Sequence, residues 1–233
     1  MSPRPPVPLE PGAREALEKV LELLASERAS VSSVTDPAEA WKVHVADSLT
    51  GLEVEDLRTA AHIADIGSGA GFPGLVLAAA LPAARVDLIE SVGRKCDFIR
   101  RALAAAGIDN AHVIEARSED IARAEGREAY NAVTARAVGR LSTLAELASP
   151  LLRNGGALVA WKGRRDPGEE AQMTAASTEL AMQPVEVLHV GPYAGSRHRH
   201  LHVMRKLGPT PAGLPRRPGM AKKRPRGPTP PGE

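Results

Sequence analysis

Two carboxylates bracket a run of glycines. Asp65 lies near the end of one short apolar run, Gly67, Gly69, Gly71 and Gly74 follow it, and Glu90 ends a second apolar run. Glycine lets a chain turn tightly and brings backbone close to a ligand where a Cβ would clash. An acid at the tip of a strand can accept both hydroxyls of a ribose. Residues of these types at this spacing point to nucleotide binding.

The elements that must position them can be read on either side. His62 to Ile66 is an apolar run suited to a buried parallel strand. Leu75 to Leu81 is alanine-rich and apolar, which favours a helix, and Pro82 stops it. Arg85 to Ile89 reads as the next strand, so the stretch forms a βαβ unit. Upstream, Gly12 to Arg28 has the apolar spacing of an amphipathic helix. Val31 to Val34 is a connector. Asp36-Pro37 is an N-cap with proline in the first turn, and it opens a helix over Glu39 to about Leu49 that carries Trp41, His44, Asp47 and Ser48.

Downstream, the reading predicts a helix from Lys95 to Ala106 that Gly107 ends, then a strand from His112 to Glu115. Arg117 to Asp120 is a polar turn at that strand's C-terminal end, where an open α/β sheet exposes its ligand contacts. Strands are expected at Asn131–Thr134, Ala157–Trp161, Val185–Val190 and Leu201–Lys206, with helices at Leu141–Ala148 and Pro167–Leu180. The last two strands are separated by a short segment with no helix, which implies antiparallel pairing. The expected fold class is α/β: a Rossmann-like sheet of about seven strands with the last antiparallel, as in class I S-adenosylmethionine (SAM) methyltransferases. The expected organisation is a Pro-rich extension over 1–11, a helical cap over 12–60, a nucleotide-binding domain over 61–207 and a basic tail over 208–233.

Two registers of the glycine loop compete. Gly69-Ala-Gly71-Phe-Pro-Gly74 fits the G-x-G-x-x-G pattern of NAD sites. Asp65-Ile-Gly67-Ser-Gly69-Ala-Gly71 resembles the first motif of the SAM methyltransferases. An acid near the turn would repel a pyrophosphate but suits a sulfonium and an amino group, so Asp65 favours SAM. On this reading Asp65, Gly67, Gly69, Gly71 and Glu90 bind the cofactor.

Composition narrows the rest. The chain has 233 residues, is 43% apolar and carries a net charge of +2, which suits one large α/β domain. No apolar run approaches the length of a membrane span. The first eleven residues hold five prolines and no apolar stretch of the kind a signal peptide needs. A single cysteine, Cys96, excludes an internal disulfide and fits a reducing cytoplasm. The segment from Gly208 to Glu233 carries a net +5, which leaves the body at −3. A basic tail on a mildly acidic body suggests a polyanion such as nucleic acid. His198, His200 and His202 alternate, but three histidines two apart on one strand seldom converge on one ion, and no metal is expected. A basic strand edge facing RNA, with Arg197, Arg199 and Arg205 alongside, is the favoured reading. Trp41 and Cys96 are read as core residues.

Several segments together resemble the RsmG (GidB) family: Asp36-Pro37 with His44 and Asp47-Ser48, Gly67 to Gly74, Leu88 to Ser91, Arg117 to Asp120, Thr134 to Ala137, Gly155-Gly156, Lys162-Gly163 and Pro215-Arg-Arg-Pro-Gly219. The likeness spans about Gly12 to Arg226. It implies SAM-dependent methylation of guanine N7 in bacterial 16S ribosomal RNA, free or within the 30S subunit; a cytoplasmic location and a monomer are the expectations set beside it. It places SAM against Gly67, Phe72, Ser118, Glu119 and Arg136. Guanine N7 is a lone pair, so transfer is an in-line displacement that needs no general base, and no catalytic acid or base is expected. Positioning carries the step, a contribution of about 7–11 kcal/mol in good geometry. Methylation makes the purine cationic, so a cation touching N7 would oppose it. Arg136 is therefore assigned to the cofactor, and Lys162, Arg197, Arg199, Arg216, Arg217, Lys222 and Lys223 are the expected RNA contacts. Rival readings are a non-catalytic RNA-binding assembly factor that retains the fold, or a methyltransferase with another substrate.

Overall fold

In the computed structural model, which describes residues 9–27, 34 and 36–228, seven strands form one mixed sheet in the order β3-β2-β1-β4-β5-β7-β6. The strands are β1 (His62–Ile66), β2 (Arg85–Glu90), β3 (Ala111–Glu115), β4 (Tyr130–Arg136), β5 (Leu152–Lys162), β6 (Met182–Val190) and β7 (Arg199–Lys206). The first five pair in parallel, and β7 runs antiparallel to both neighbours. The expected strand cores all lie inside these elements. β4, β5, β6 and β7 begin earlier than their expected cores, because ladder pairing starts at residues before the apolar run, as at Tyr130 with Leu152 and Met182 with Lys206.

Helices cover both faces. On one face lie α1 (Pro11–Ser26), a continuous helical segment made of α2 (Pro37–Ala40), a π turn (Trp41–Ala46) and α3 (Asp47–Leu49), then a 3₁₀ turn (Thr50–Glu53), α4 (Glu55–Arg58), α5 (Gly74–Ala80) and α6 (Gly93–Ala106). Leu17, Val20, Leu21 and Leu24 of α1 follow i, i+3, i+4, i+7 spacing. All four are buried in one apolar cluster with Phe98, Ile99 and Ala102 of α6. Asp36 caps α2 by accepting from the Glu39 amide at 2.8 Å. The other face carries α7 (Ser118–Ile121), α8 (Leu141–Ala148) and α9 (Pro167–Leu180), over a second cluster that includes Ile66, Val133, Leu144, Leu158 and Met173. α10 (Met220–Lys223) follows β7. The reading of residues 1–8, 28–33 and 229–233 lies outside the described residues.

The strand carrying the histidines corrects one expectation. β7 is not a sheet edge: it is inserted between β5 and β6. His198 precedes it with φ +54, so the three histidines do not share one strand face. His202 is buried and His200 Nδ1 lies 2.8 Å from Gly163 O. On the opposite face, Arg199 lies 3.9 Å from Asp47 and Arg205 pairs with Asp56 at 2.6 Å. Both arginines dock the N-terminal helices onto the sheet. Among the described residues no three His, Cys, Asp or Glu side chains are grouped to hold a metal ion.

Candidate active site

The glycine loop continues the β1 ladder before it turns. The amides of Gly67 and Ser68 donate to Ile89 O at 2.8 and 3.3 Å. Gly67, Gly69 and Gly71 then take φ values of +65, +61 and +90, a region costly for any residue with a Cβ. A Cβ on Gly67 would also stand 2.9 Å from a methyl of Val138.

Asp65 does not reach the cofactor cleft as the glycine spacing implies. Its carboxylate is fully buried beneath the loop, where it accepts from the Gly74 amide at 3.1 Å and from Thr134 Oγ1 at 2.9 Å. Burial pushes its pKa up from 3.8 to about 6, against the lowering effect of Thr134, Gly74, Ser68 and Arg136. Asp65 thus occupies the first amide of α5, the group a pyrophosphate would need. The preference against a dinucleotide stands, but its cause is a filled helix terminus and not repulsion across an open cleft.

Glu90 does line the cleft. Oε2 accepts from the Gly69 amide at 3.0 Å, and Oε1 accepts from the Ser91 and Val92 amides at 2.8 and 2.9 Å. A carboxylate has about four acceptor positions, so one on Oε2 remains for a ligand. Ile66, Gly67, Glu90, Arg117, Ser118, Glu119, Val138 and Thr143 surround a cavity of about 200 Å³, which Gly219, Ala221 and Lys222 close from the C-terminal segment. Ser118 and Glu119 are nearly buried on α7. Glu119 Oε1 accepts from the Gly219 amide at 2.8 Å, and Ser118 Oγ lies 3.3 Å from its other oxygen.

A second cavity, of about 390 Å³, opens where β4 and β5 end. Asp47, Arg136, Trp161, Lys162, Arg199 and His200 are among its lining residues. Arg136 donates to Val43 O at 2.9 Å and to Asp47 Oδ2 at 3.1 Å. Its other terminal nitrogen lies 3.3 Å from His44 Nδ1. His44 stacks on Phe72 with ring centroids 4.6 Å apart. Burial, aided by the Arg136 charge, lowers the His44 pKa from 6.5 to about 4, so the ring is neutral at pH 7. Arg136 thus joins β4 to the π turn, and Phe72 joins the same turn to the glycine loop. π turns recur at functional sites.

The expected RNA contacts divide into two groups. Lys162 is committed to Glu169 at 2.7 Å and to Gly139 O at 3.0 Å. Arg216 makes paired bonds to the buried Glu146. Arg197, Arg217, Lys222 and Lys223 are exposed. Residue types and spacing assign no role to Val138, Thr143, Gly219 or Ala221. Pro-Arg-Arg-Pro-Gly219 is the one visible signal for the last two, and its basic residues point toward RNA instead. Asp47 and His44 are visible as a pair three apart on a helix, but nothing in that spacing links them to Arg136.

A sheet of this order with its antiparallel insertion, a glycine loop at the tip of β1 and an acid at the tip of β2 define a class I methyltransferase fold. A predicted O-methyltransferase from Agrobacterium tumefaciens superposes with TM-score 0.53 and 27% identity, over 70% of this chain and 79% of that one. A SAM-dependent O-methyltransferase from Thermotoga maritima superposes with TM-score 0.57 and 15% identity, over 81% and 71%. Residues 14–202 match the family described as rRNA small subunit methyltransferase G (GidB), and the chain belongs to that family. Relatives named ribosomal RNA small subunit methyltransferase G include those of Rubrobacter xylanophilus, 42% identical over 90% of this chain and 82% of the relative, and of Symbiobacterium thermophilum, 37% identical over 94% and 92%.

Proposed function

We propose that the protein transfers a methyl group from SAM to N7 of a guanine in bacterial 16S ribosomal RNA, acting in the cytoplasm on the 30S subunit or its RNA. The observation that carries this is the adjacency of two unlike cavities in a member of this family. One is a glycine-lined cleft with an acid at its rim. The other is a larger pocket lined by cations that are already paired.

The residues present fit the cofactor. Gly69 leaves open space that a Cβ would fill, and Glu90 keeps an acceptor position for a ribose hydroxyl. The bound cofactor supplies a methyl group already activated on sulfonium. Gly67, Gly69 and Glu90 hold its nucleoside side, with Ser118 and Glu119 on the base. Arg136 lines the larger cavity, beside the loop that carries Phe72. The target base enters the larger pocket, splayed out of its stack. There the charges of Arg136 and Lys162 are offset by Asp47 and Glu169, so the positive charge that develops on the purine meets paired groups and not bare cations. No residue need remove a proton from N7. Arg197, Arg217, Lys222 and Lys223, all exposed, neutralise RNA phosphates.

Incubation with methyl-labelled SAM and either naked 16S RNA or 30S particles, followed by mapping of the modified base, tests the proposal. Label on one guanine N7 is expected. Label on neither substrate, with the protein still bound to RNA, would favour a non-catalytic assembly factor.

A further inference from the structure

The C-terminal segment does not hang free. Leu214 and Ala221 are buried at 6% and 3% exposure. Arg123 donates to Pro215 O and Arg216 O, at 3.3 and 2.6 Å. Arg216 turns inward, with Nε and an Nη both 2.5 Å from the two oxygens of Glu146 on α8, a side chain 2% exposed. Its Nη2 also donates to Arg224 O at 2.7 Å, which closes the segment into a loop. Thr143 Oγ1 donates to Ala221 O at 3.2 Å, and the Gly219 amide donates to Glu119 Oε1 at 2.8 Å. Gly219 holds φ +81, which suits glycine there.

Together these bonds place Gly219, Ala221 and Lys222 in the lining of the smaller cavity, the one that Glu90 and Gly67 also line. Ligand pockets usually enclose about 300–1,000 Å³, and this one encloses about 200 Å³.

We infer that the segment from Leu214 to Lys223 is a wall of the nucleoside half of the cofactor site, and that Arg216 is a positioning residue for the cofactor and not an RNA contact. The inference rests on the methyltransferase reading. Glu146 is a buried acid that itself lines neither cavity, and its partner is the residue that sets the segment's path. A bidentate arginine–carboxylate pair fixes direction as well as distance. It therefore fixes the Gly219 amide on Glu119. By linkage, a ligand held by the wall also orders the wall. Lys222 and Lys223 project to solvent from the same turn, so a filled cofactor site presents them to RNA in one arrangement.

The test uses the full chain and S-adenosylhomocysteine, which cannot react. Calorimetric Kd values are measured for wild type, Arg216→Ala, Arg216→Lys and Arg217→Ala, with the melting temperature of each ligand-free protein. Arg216→Ala is expected to weaken binding roughly tenfold, about 1.4 kcal/mol, with Arg216→Lys between it and wild type. Arg217→Ala is expected to keep the wild-type affinity. Trypsin cleavage after Lys222 and Lys223 in wild type is expected to slow when the ligand is added. Unchanged affinity in a folded Arg216→Ala overturns the inference. If that variant does not fold, wild-type cleavage decides, and cleavage indifferent to the ligand overturns it. Wild type that binds no S-adenosylhomocysteine would instead sink the methyltransferase reading beneath it.

Discussion

Asp65 and His44 are buried in opposite senses of charge. The Asp65 pKa is raised from 3.8 to about 6, so the ionised form costs stability in the folded state. Its contribution is fully present below pH 3.8 and lost as pH rises through about 6. The His44 pKa is lowered from 6.5 to about 4. Its contribution is present above pH 6.5 and lost as pH falls through about 4. The two slopes oppose each other over the same window, so wild-type stability should vary little there on their account. Asp65→Asn keeps an acceptor for the Gly74 amide and removes the titration. Between pH 4 and 6, urea unfolding should show the variant gaining on wild type by up to about 3 kcal/mol, at 1.36 kcal/mol per unit. A difference that does not change with pH would mean that folding leaves the Asp65 pKa unshifted. The identity of Asp65 was legible in the sequence and its direction was not. A strand residue faces one side or the other by register, and only the packing of α5 shows which side holds the amide.

The π turn and the glycine loop act as one unit through the His44–Phe72 stack. Phe72 is buried at 4% exposure, and its ring lies 5.7 Å from the Arg136 guanidinium as well. Phe72→Ala should cost about 3–5 kcal/mol, as large-to-small changes in a packed core do. It should also free the loop from the N-terminal helices, weakening SAM binding more than the stability loss alone would. Comparing calorimetric Kd with denaturant midpoint for Phe72→Ala and Phe72→Leu checks this, since leucine restores volume without the stack. If both variants keep the wild-type Kd, the stack does not position the loop. The helix itself was legible from Asp36-Pro37, whose cap the structure retains. The π turn within it was not, because the bonds that reward it come from Arg136, ninety-two residues away from His44 in the chain.

At the scale of the whole molecule, the cations sort by whether the fold has already used them. Arg197, Arg217, Lys222 and Lys223 are exposed, whereas Lys162 and Arg216 are held by Glu169 and Glu146. Changing the four exposed residues to alanine should lower the slope of log K against log salt for 16S RNA. The decrease should be roughly 0.7 for each single-strand phosphate that is no longer neutralised. Arg216→Ala should leave that slope unaltered at saturating cofactor. Filter binding across a salt series measures both. An unaltered slope in the fourfold variant would exclude these residues from phosphate binding.

The strand–loop–helix–strand unit from His62 to Glu90, the α/β class and the hairpin that ends the sheet were all determined by local composition. Glycine, proline and apolar period act over a few residues, and their physics does not depend on what lies across the fold. The destination of charged side chains was decided by tertiary structure alone. An arginine in a tail reads the same whether it meets water, a phosphate or Glu146, because the partner that buries it is distant in sequence. The basic tail therefore reads as an RNA arm, and its contacts with α7 and α8 become visible only when residues 214–224 are brought against those helices.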